Sequence, residues 1–315
     1  MIMILKILPV ILFACGVFGA VLDEANNLYT KGDMRGAAAL YKKAAREGEN
    51  PTLCYFNLAN AYFQSDSLAQ ALVYYKACVE TAPEFFRGHL NLAIAYYTLD
   101  DLGECIAEAK RAVELDGKNQ KALFILAAAY RKANALPEAI VAFEQLAQAF
   151  PDMEEPCVAL GEMYRDLGDP IVALKWFAQY PQGGKNGAYV QRAMAEIYES
   201  ENDPVRALFC LQKSLEKDPG QPWVYYRTVE LNEKSGNALV ALESAEEGVG
   251  LFPKFSDLAL LAGTIAFKLE RFDEARRYYE IALKNGSGAA IVGLDNVRMM
   301  KKGKLKNPGN GASNP

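Results

Sequence analysis

A period of 34 residues constrains this chain more than any other feature of its sequence. The same side-chain types return at the same slots eight times, without insertion. One small-residue slot holds Ala37, Ala71, Cys105, Ala139, Ala173, Ala207, Ala241 and Ala275. A second holds Ala25, Ala59, Ala93, Ala127, Gly161, Ala195, Val229 and Gly263. Aromatics recur at Tyr62, Tyr96, Tyr130, Tyr164 and Tyr198, and a further slot holds Tyr41, Tyr75, Phe143, Phe177 and Tyr279, with Ala109, Leu211 and Ala245 between them. Turn formers fill Gly32, Asp66, Asp100, Asn134, Gly168, Asn202, Gly236 and Glu270. A fixed period of this length marks a stack of identical two-element modules. Two helices that cross closely need Ala, Gly or Cys at the crossing. Aromatics fill the holes beside it, and the tight turn is cheapest with a residue that tolerates a left-handed backbone. Eight such units run from Phe18 to Ala289.

Local signals agree with that reading. Asp169-Pro170 and Asp203-Pro204 put a capping carboxylate before a first-turn proline, and Asn237 stands in the same place one unit on. Chain breakers at Pro51, Pro83, Gly117, Pro151, Pro219 and Pro253 close successive units. After Ala289, the spacing of Ile291, Leu294, Val297 and Met300 predicts one more helix, over 290–300, that covers the last unit. Residues 301–315 are basic and rich in Gly, Asn and Pro, and are expected to be disordered.

Leu58-Ala59, Tyr62, Ala71, Tyr75 and Pro83, and again Leu126-Ala127, Tyr130, Ala139, Phe143 and Pro151, resemble the signature of the tetratricopeptide repeat (TPR) family. The resemblance covers all eight units. It is weakest in the seventh, where Thr228, Val229 and Asn232 replace the usual residues, and partial in the first. It implies an all-α fold: a right-handed superhelical α-solenoid of about eight helix pairs over 21–289, with a capping helix. It also implies that the first helix of each pair lines a concave face that binds protein.

Residues 1–20 are a separate object. Lys6 precedes the apolar stretch Ile7 to Phe18, and small residues follow, which is the layout of a secretory signal peptide. Cleavage is expected after Gly19. Leu12-Phe13-Ala14-Cys15 also resembles a lipobox, which would make Cys15 a lipidated N-terminus. Either outcome implies an exported protein, periplasmic or secreted, that meets the membrane only through that lipid. The formal charge of −5 gives no reason to expect nucleic acid as a partner.

Chemistry has little to work with. One histidine, His89, cannot build a Ser/His/Asp set or a zinc site without placed partners. Cys78 and Cys105 occupy small-residue slots and read as packing residues. Gln182-Gly183-Gly184-Lys185-Asn186-Gly187 lacks the Ser/Thr and the preceding strand of a phosphate loop. No catalytic residue, metal or cofactor is expected, and the chain is read as a non-enzyme.

The period places Phe56, Asn57, Asn60, Arg87, Asn91, Lys121, Phe124 and Arg131 on the face expected to be concave. Amides there can pair with the backbone of an extended peptide, and aromatics and cations with its side chains. Some TPR domains grip a C-terminal carboxylate with a five-residue clamp. Asn60, Asn91 and Lys121 match it, but Phe56 and Ile125 stand where cations belong. Trp223, Tyr226 and Arg227 form a second candidate contact patch, while Glu162, Arg165, Arg192, Glu196, Glu199 and Glu230 alternate in sign and are expected to pair with one another. The run from Ala25 through Tyr55-Phe56-Asn57-Leu58-Ala59-Asn60 to Asn91-Leu92-Ala93 is similar to the start of the TPR protein of the bacterial aerotolerance (Bat) operon. The expected role is an adaptor or scaffold of the bacterial cell envelope. The alternative is a structural lipoprotein of an outer-membrane, pilus or secretion assembly.

Overall fold

A computed structural model describes residues 19–181 and 183–302 of the chain. The leader before Gly19, with Cys15, lies outside the described residues, as do Gln182 and the tail beyond Lys302. The described residues form seventeen helices and no strand. They are α1 (Ala20–Thr30), α2 (Met34–Arg46), α3 (Pro51–Gln64), α4 (Leu68–Thr81), α5 (Phe86–Thr98), α6 (Leu102–Leu115), α7 (Gln120–Lys132), α8 (Leu136–Ala149), α9 (Glu154–Asp166), α10 (Pro170–Ala178), α11 (Gly187–Ser200), α12 (Pro204–Lys217), α13 (Pro222–Lys234), α14 (Ala238–Leu251), α15 (Ser256–Lys268), α16 (Phe272–Lys284) and α17 (Ala290–Lys301). The chain divides into two compact units, the first ending at Met163 and the second beginning at Tyr164.

Each odd-numbered helix up to α15 is joined to the next by three residues, which makes an antiparallel hairpin. The turn chemistry is the same eight times. Gly32, Asp66, Asp100, Asn134, Gly168, Asn202, Gly236 and Glu270 all have positive φ, between 57° and 84°. The following N–H closes back on the carbonyl five residues earlier, as in Asp33 N to Leu28 O, Asp101 N to Tyr96 O and Arg271 N to Ala266 O at 2.9–3.0 Å. That bond stops the first helix and fixes the angle at which the second leaves. Asp33, Asp169 and Asp203 then cap the second helix with their carboxylates. Asn237 makes no such side-chain bond; the expected cap is absent there. Pro51 also differs from expectation, since it is the first residue of α3 rather than a stop after α2.

The small-residue slots are where the helices meet. Ala37, Ala71, Cys105, Ala139, Ala173, Ala207, Ala241 and Ala275 are all wholly buried. At Gly263 a Cβ would come within 2.7 Å of the Tyr279 ring, and at Gly293 within 2.5 Å of the same ring. Tyr279 of α16 is thus wedged between α15 and α17, and neither neighbour has room for a methyl group. Three tyrosines near the ends of first helices are capped by a cation from the preceding module. Lys42, Lys76 and Lys110, spaced 34 apart, lie 5.2–5.6 Å above the rings of Tyr62, Tyr96 and Tyr130.

The core is a series of local clusters rather than one centre. In the first unit, Leu22, Tyr41 and Leu58 belong to one cluster, and Tyr75, Leu92 and Ile125 to the next. In the second unit, Ala195, Leu211 and Val224 pack together, and Leu242, Leu258, Tyr279 and Val297 form the largest cluster. A module that buries its apolar face only against its neighbours is the packing logic of a solenoid.

Candidate protein-binding face

Two slots of the first helices hold most of the residues singled out from the sequence. One carries Arg87, Lys121, Tyr189 and Trp223, and three residues on the other carries Phe56, Phe124, Arg192 and Tyr226.

In the first unit, Asn60 and Asn91 are buried and engaged with the stack. Tyr75 Oη donates to Asn60 Oδ1 at 2.6 Å, and Asn91 Nδ2 donates to the same oxygen at 2.9 Å. The arrangement repeats one module earlier, where Tyr41 Oη (2.8 Å) and Asn57 Nδ2 (3.1 Å) both donate to Asn26 Oδ1. Each node ties the first helix of one module to its own second helix and to the next first helix. Burial pushes the Tyr41 and Tyr75 phenols up, so both stay neutral donors. One module further on, the same slots hold Ile94, Ala109 and Ile125, all buried, and the tie becomes apolar. Asn60 and Asn91 therefore do not offer their amides to a peptide in the manner expected of clamp residues, and Ile125 is closed off as well. Among the described residues, Tyr29 Oη is buried in the same cluster as Tyr41 with no hydrogen-bond partner.

The rest of the first group stays nearer to solvent. Phe56 is half-buried, with Phe85 edge-on at 5.3 Å between ring centres. Phe124 and Arg87 are half-buried, and Lys121 is exposed at the first turn of α7. Arg131 is exposed but held by Glu162 of α9 at 2.6 Å. Lys132, next to it, bonds Asp100 at 2.6 Å and lies 4.9 Å above the Tyr97 ring. Asp100 raises the pKa of that ammonium.

In the second unit, opposite charges pair from helix to helix. Arg165 meets Glu196 at 3.6 Å, and Arg227 is held between Glu199 and Glu230. The Glu199 hydrogen bond, with Glu230 behind it, raises the Arg227 pKa. Lys234 and Arg227 in turn hold the Glu230 carboxyl below its ordinary range. Arg227 is thus committed within the unit. Trp223 is not: it is 62% exposed at the start of α13. Its ring stands edge-on to Phe255 at 4.6 Å and to Tyr226 at 5.7 Å, and Tyr226 meets Phe255 at 6.3 Å. These three rings form an open aromatic platform, flanked on α11 by Arg192, which donates to Gln221 at 2.9 Å.

Phe255 was missing from the residues picked out in the sequence. So was Phe85, which plays the same part beside Phe56. The two lie in one slot, five periods apart, just before a first helix.

Other reactive groups have structural roles. Cys54, Cys78, Cys105, Cys157 and Cys210 are all buried and none forms a disulfide. Burial pushes the thiols of Cys54, Cys78 and Cys105 up to about 12, which leaves them protonated and poorly nucleophilic. His89 sits between the Glu108 carboxylate, 2.6 Å from Nδ1, and the Pro83 carbonyl, 2.9 Å from Nε2, and so ties α5 to α6 and to the preceding loop. Among the described residues, no group of three or more His, Cys, Asp or Glu could hold a metal ion, and no helix is long and apolar enough to cross a membrane.

Comparison with known proteins agrees with this architecture. A family model described as "Tetratricopeptide repeat" matches residues 22–84, 90–154 and 227–290, well over half of the chain. No curated protein matches. Among solved structures, the C-terminal part of a TPR repeat-containing protein from Cytophaga hutchinsonii superposes with a TM-score of 0.61, at 14% identity over 76% of this chain and 99% of that one. A tetratricopeptide repeat protein from Parabacteroides merdae gives a TM-score of 0.50, at 16% identity over 78% of this chain and 98% of that one. Helix pairs with uniform turns, small residues at every crossing and three matched segments lead to one conclusion: the chain belongs to the tetratricopeptide repeat family.

Proposed function

We propose that this protein is a scaffold that binds an extended segment of a partner protein along the first helices of its second unit, with the Trp223–Tyr226–Phe255 platform as the anchor. TPR modules in general mediate protein–protein contacts. The observation that carries this particular reading is the exposure of Trp223. An indole that is 62% exposed keeps a large apolar surface in water, although Phe255 and Tyr226 already hold its ring in place. Rigid, exposed aromatics of this kind dominate binding hot spots, because little side-chain entropy remains to be lost. The amide nodes at Asn26 and Asn60 stiffen the stack. The contacts to peptide fall instead to the open platform of the second unit. The bound segment should carry a bulky apolar residue for the platform.

Selection from a random-peptide library tests this directly. The wild type should enrich peptides with an aromatic or aliphatic anchor. Trp223→Ala and Tyr226→Ala should each lose that enrichment. Recovery of the same peptides by all three proteins would contradict the assignment.

We further infer that binding takes place outside the cytoplasm. The support is the order of Lys6, the apolar stretch Ile7 to Phe18 and the small residues after it. The mass of the mature protein from its native host checks this. A start near Ala20 fits a soluble adaptor, an acylated Cys15 fits the lipoprotein reading, and an intact Met1 leader on cytosolic protein would contradict both.

A further inference from the structure

The starts of the second helices in the second unit carry a pattern that peptide binding on the first helices leaves unused. Ile171, Val205 and Leu239 occupy one slot on α10, α12 and α14, spaced 34 apart, and are 80%, 77% and 61% exposed. Single apolar residues on a surface are ordinary, but the same slot held by an exposed apolar residue on three successive second helices is a repeated feature of one side of the stack. One turn along the same helices lies a second row, Lys175, Phe209 and Glu243. Phe209 is 60% exposed. Lys175 and Glu243 are exposed, and among the described residues neither joins an ion pair. The patch stops at α16, where the same two slots hold Asp273, bonded to Lys301, and Arg277, bonded to Glu246.

A patch ordered in this way is complementary to itself. When two copies face one another across a dyad that runs along α12, α10 of one lies opposite α14 of the other. Ile171 then meets the second copy's equivalent of Leu239, Val205 and Phe209 meet their own equivalents, and the Lys175 ammonium meets the carboxylate at position 243. Reversing the sense of the helices would instead set Lys175 against the apolar row. Symmetric dimers use one surface twice in this isologous way. We propose that the second unit forms a homodimer through this patch, with α12 on the two-fold axis. Six residues a side are far fewer than the roughly 20–30 of a standard interface, so the dimer should be weak and dissociate reversibly in the micromolar range. It would leave the platform at Trp223 to the peptide and make the scaffold bivalent.

Charge exchange tests the geometry. Sedimentation velocity of the mature protein over a micromolar concentration series should show monomer–dimer exchange. Lys175→Glu and Glu243→Lys should each weaken dimerisation about tenfold or more, because each sets like charges face to face. The double variant should recover it, because the pair is rebuilt in reverse. Val205→Cys, on the dyad, should crosslink to itself under mild oxidation, while the five buried native thiols should not. All variants are at exposed positions, and unchanged helical circular dichroism would confirm that they fold. A wild type that stays monomeric throughout, a double variant no better than the single ones, or no crosslink at position 205 would each overturn the proposal.

Discussion

The side-chain oxygen of Asn60 accepts from Tyr75 and Asn91 inside the stack, and its removal strands two buried donors. Leaving such groups unsatisfied costs about 1–3 kcal/mol. Asn60→Ala should therefore lower the free energy of unfolding by that amount in urea titration, and an unchanged midpoint would show that the node contributes nothing. The next module is the natural control, since Ile94, Ala109 and Ile125 do the same joining without polar atoms. The sequence period locates these slots on the first helices but not the direction in which their amides face. The period put Asn60 and Asn91 on the inner side of the first helices, where an amide can face either a ligand or the next module. Only the Tyr75 hydroxyl decides between these, and the relation of Asn60 to Tyr75 fifteen residues away is not local. Lys121 and Trp223 were easier to place, because an ammonium and an indole at a first turn have no such internal partner.

At the scale of the helix pair, the eight turns are the most regular feature, and the last is the least comfortable. Glu270 adopts φ 60°, a conformation that costs an ordinary L-residue roughly 1–2 kcal/mol. Gly32, Gly168 and Gly236 hold the same position with open space around them. Glu270→Gly should stabilise the protein by about 1 kcal/mol, less the entropy that glycine adds to the unfolded chain. A differential scanning measurement should show a higher transition temperature, and a lower one would contradict the strain argument. These turns were legible because left-handed residues are few in kind and recur every 34 positions. Helix ends were less so. The second helix of the fifth pair, α10, stops at Ala178, well short of its equivalents, because Pro181 breaks the chain four positions before the usual slot, which Lys185 holds. Asn237 fails to cap although its composition permits it. The platform ring Phe255 escaped notice because it stands just outside α15, where a periodicity argument about helix faces does not look.

At the scale of the whole molecule, the second unit presents two different surfaces on two sets of helices. The first helices carry the aromatic platform, and the second helices carry the self-complementary patch. A repeat protein can keep these apart because each slot recurs on the same side of every module, so substitutions along one slot alter one face only. The all-α repeat architecture was therefore readable from periodicity alone, whereas the identity of a partner is not encoded in it. The central claim is that the Trp223 ring is buried by a bound partner segment. With Trp176→Phe removing the other indole, titration with a library-selected peptide should shift Trp223 emission to shorter wavelength in a saturable way, and Tyr226→Ala should weaken the effect. Saturable binding with no change in Trp223 emission would show that the partner binds elsewhere and would contradict the account.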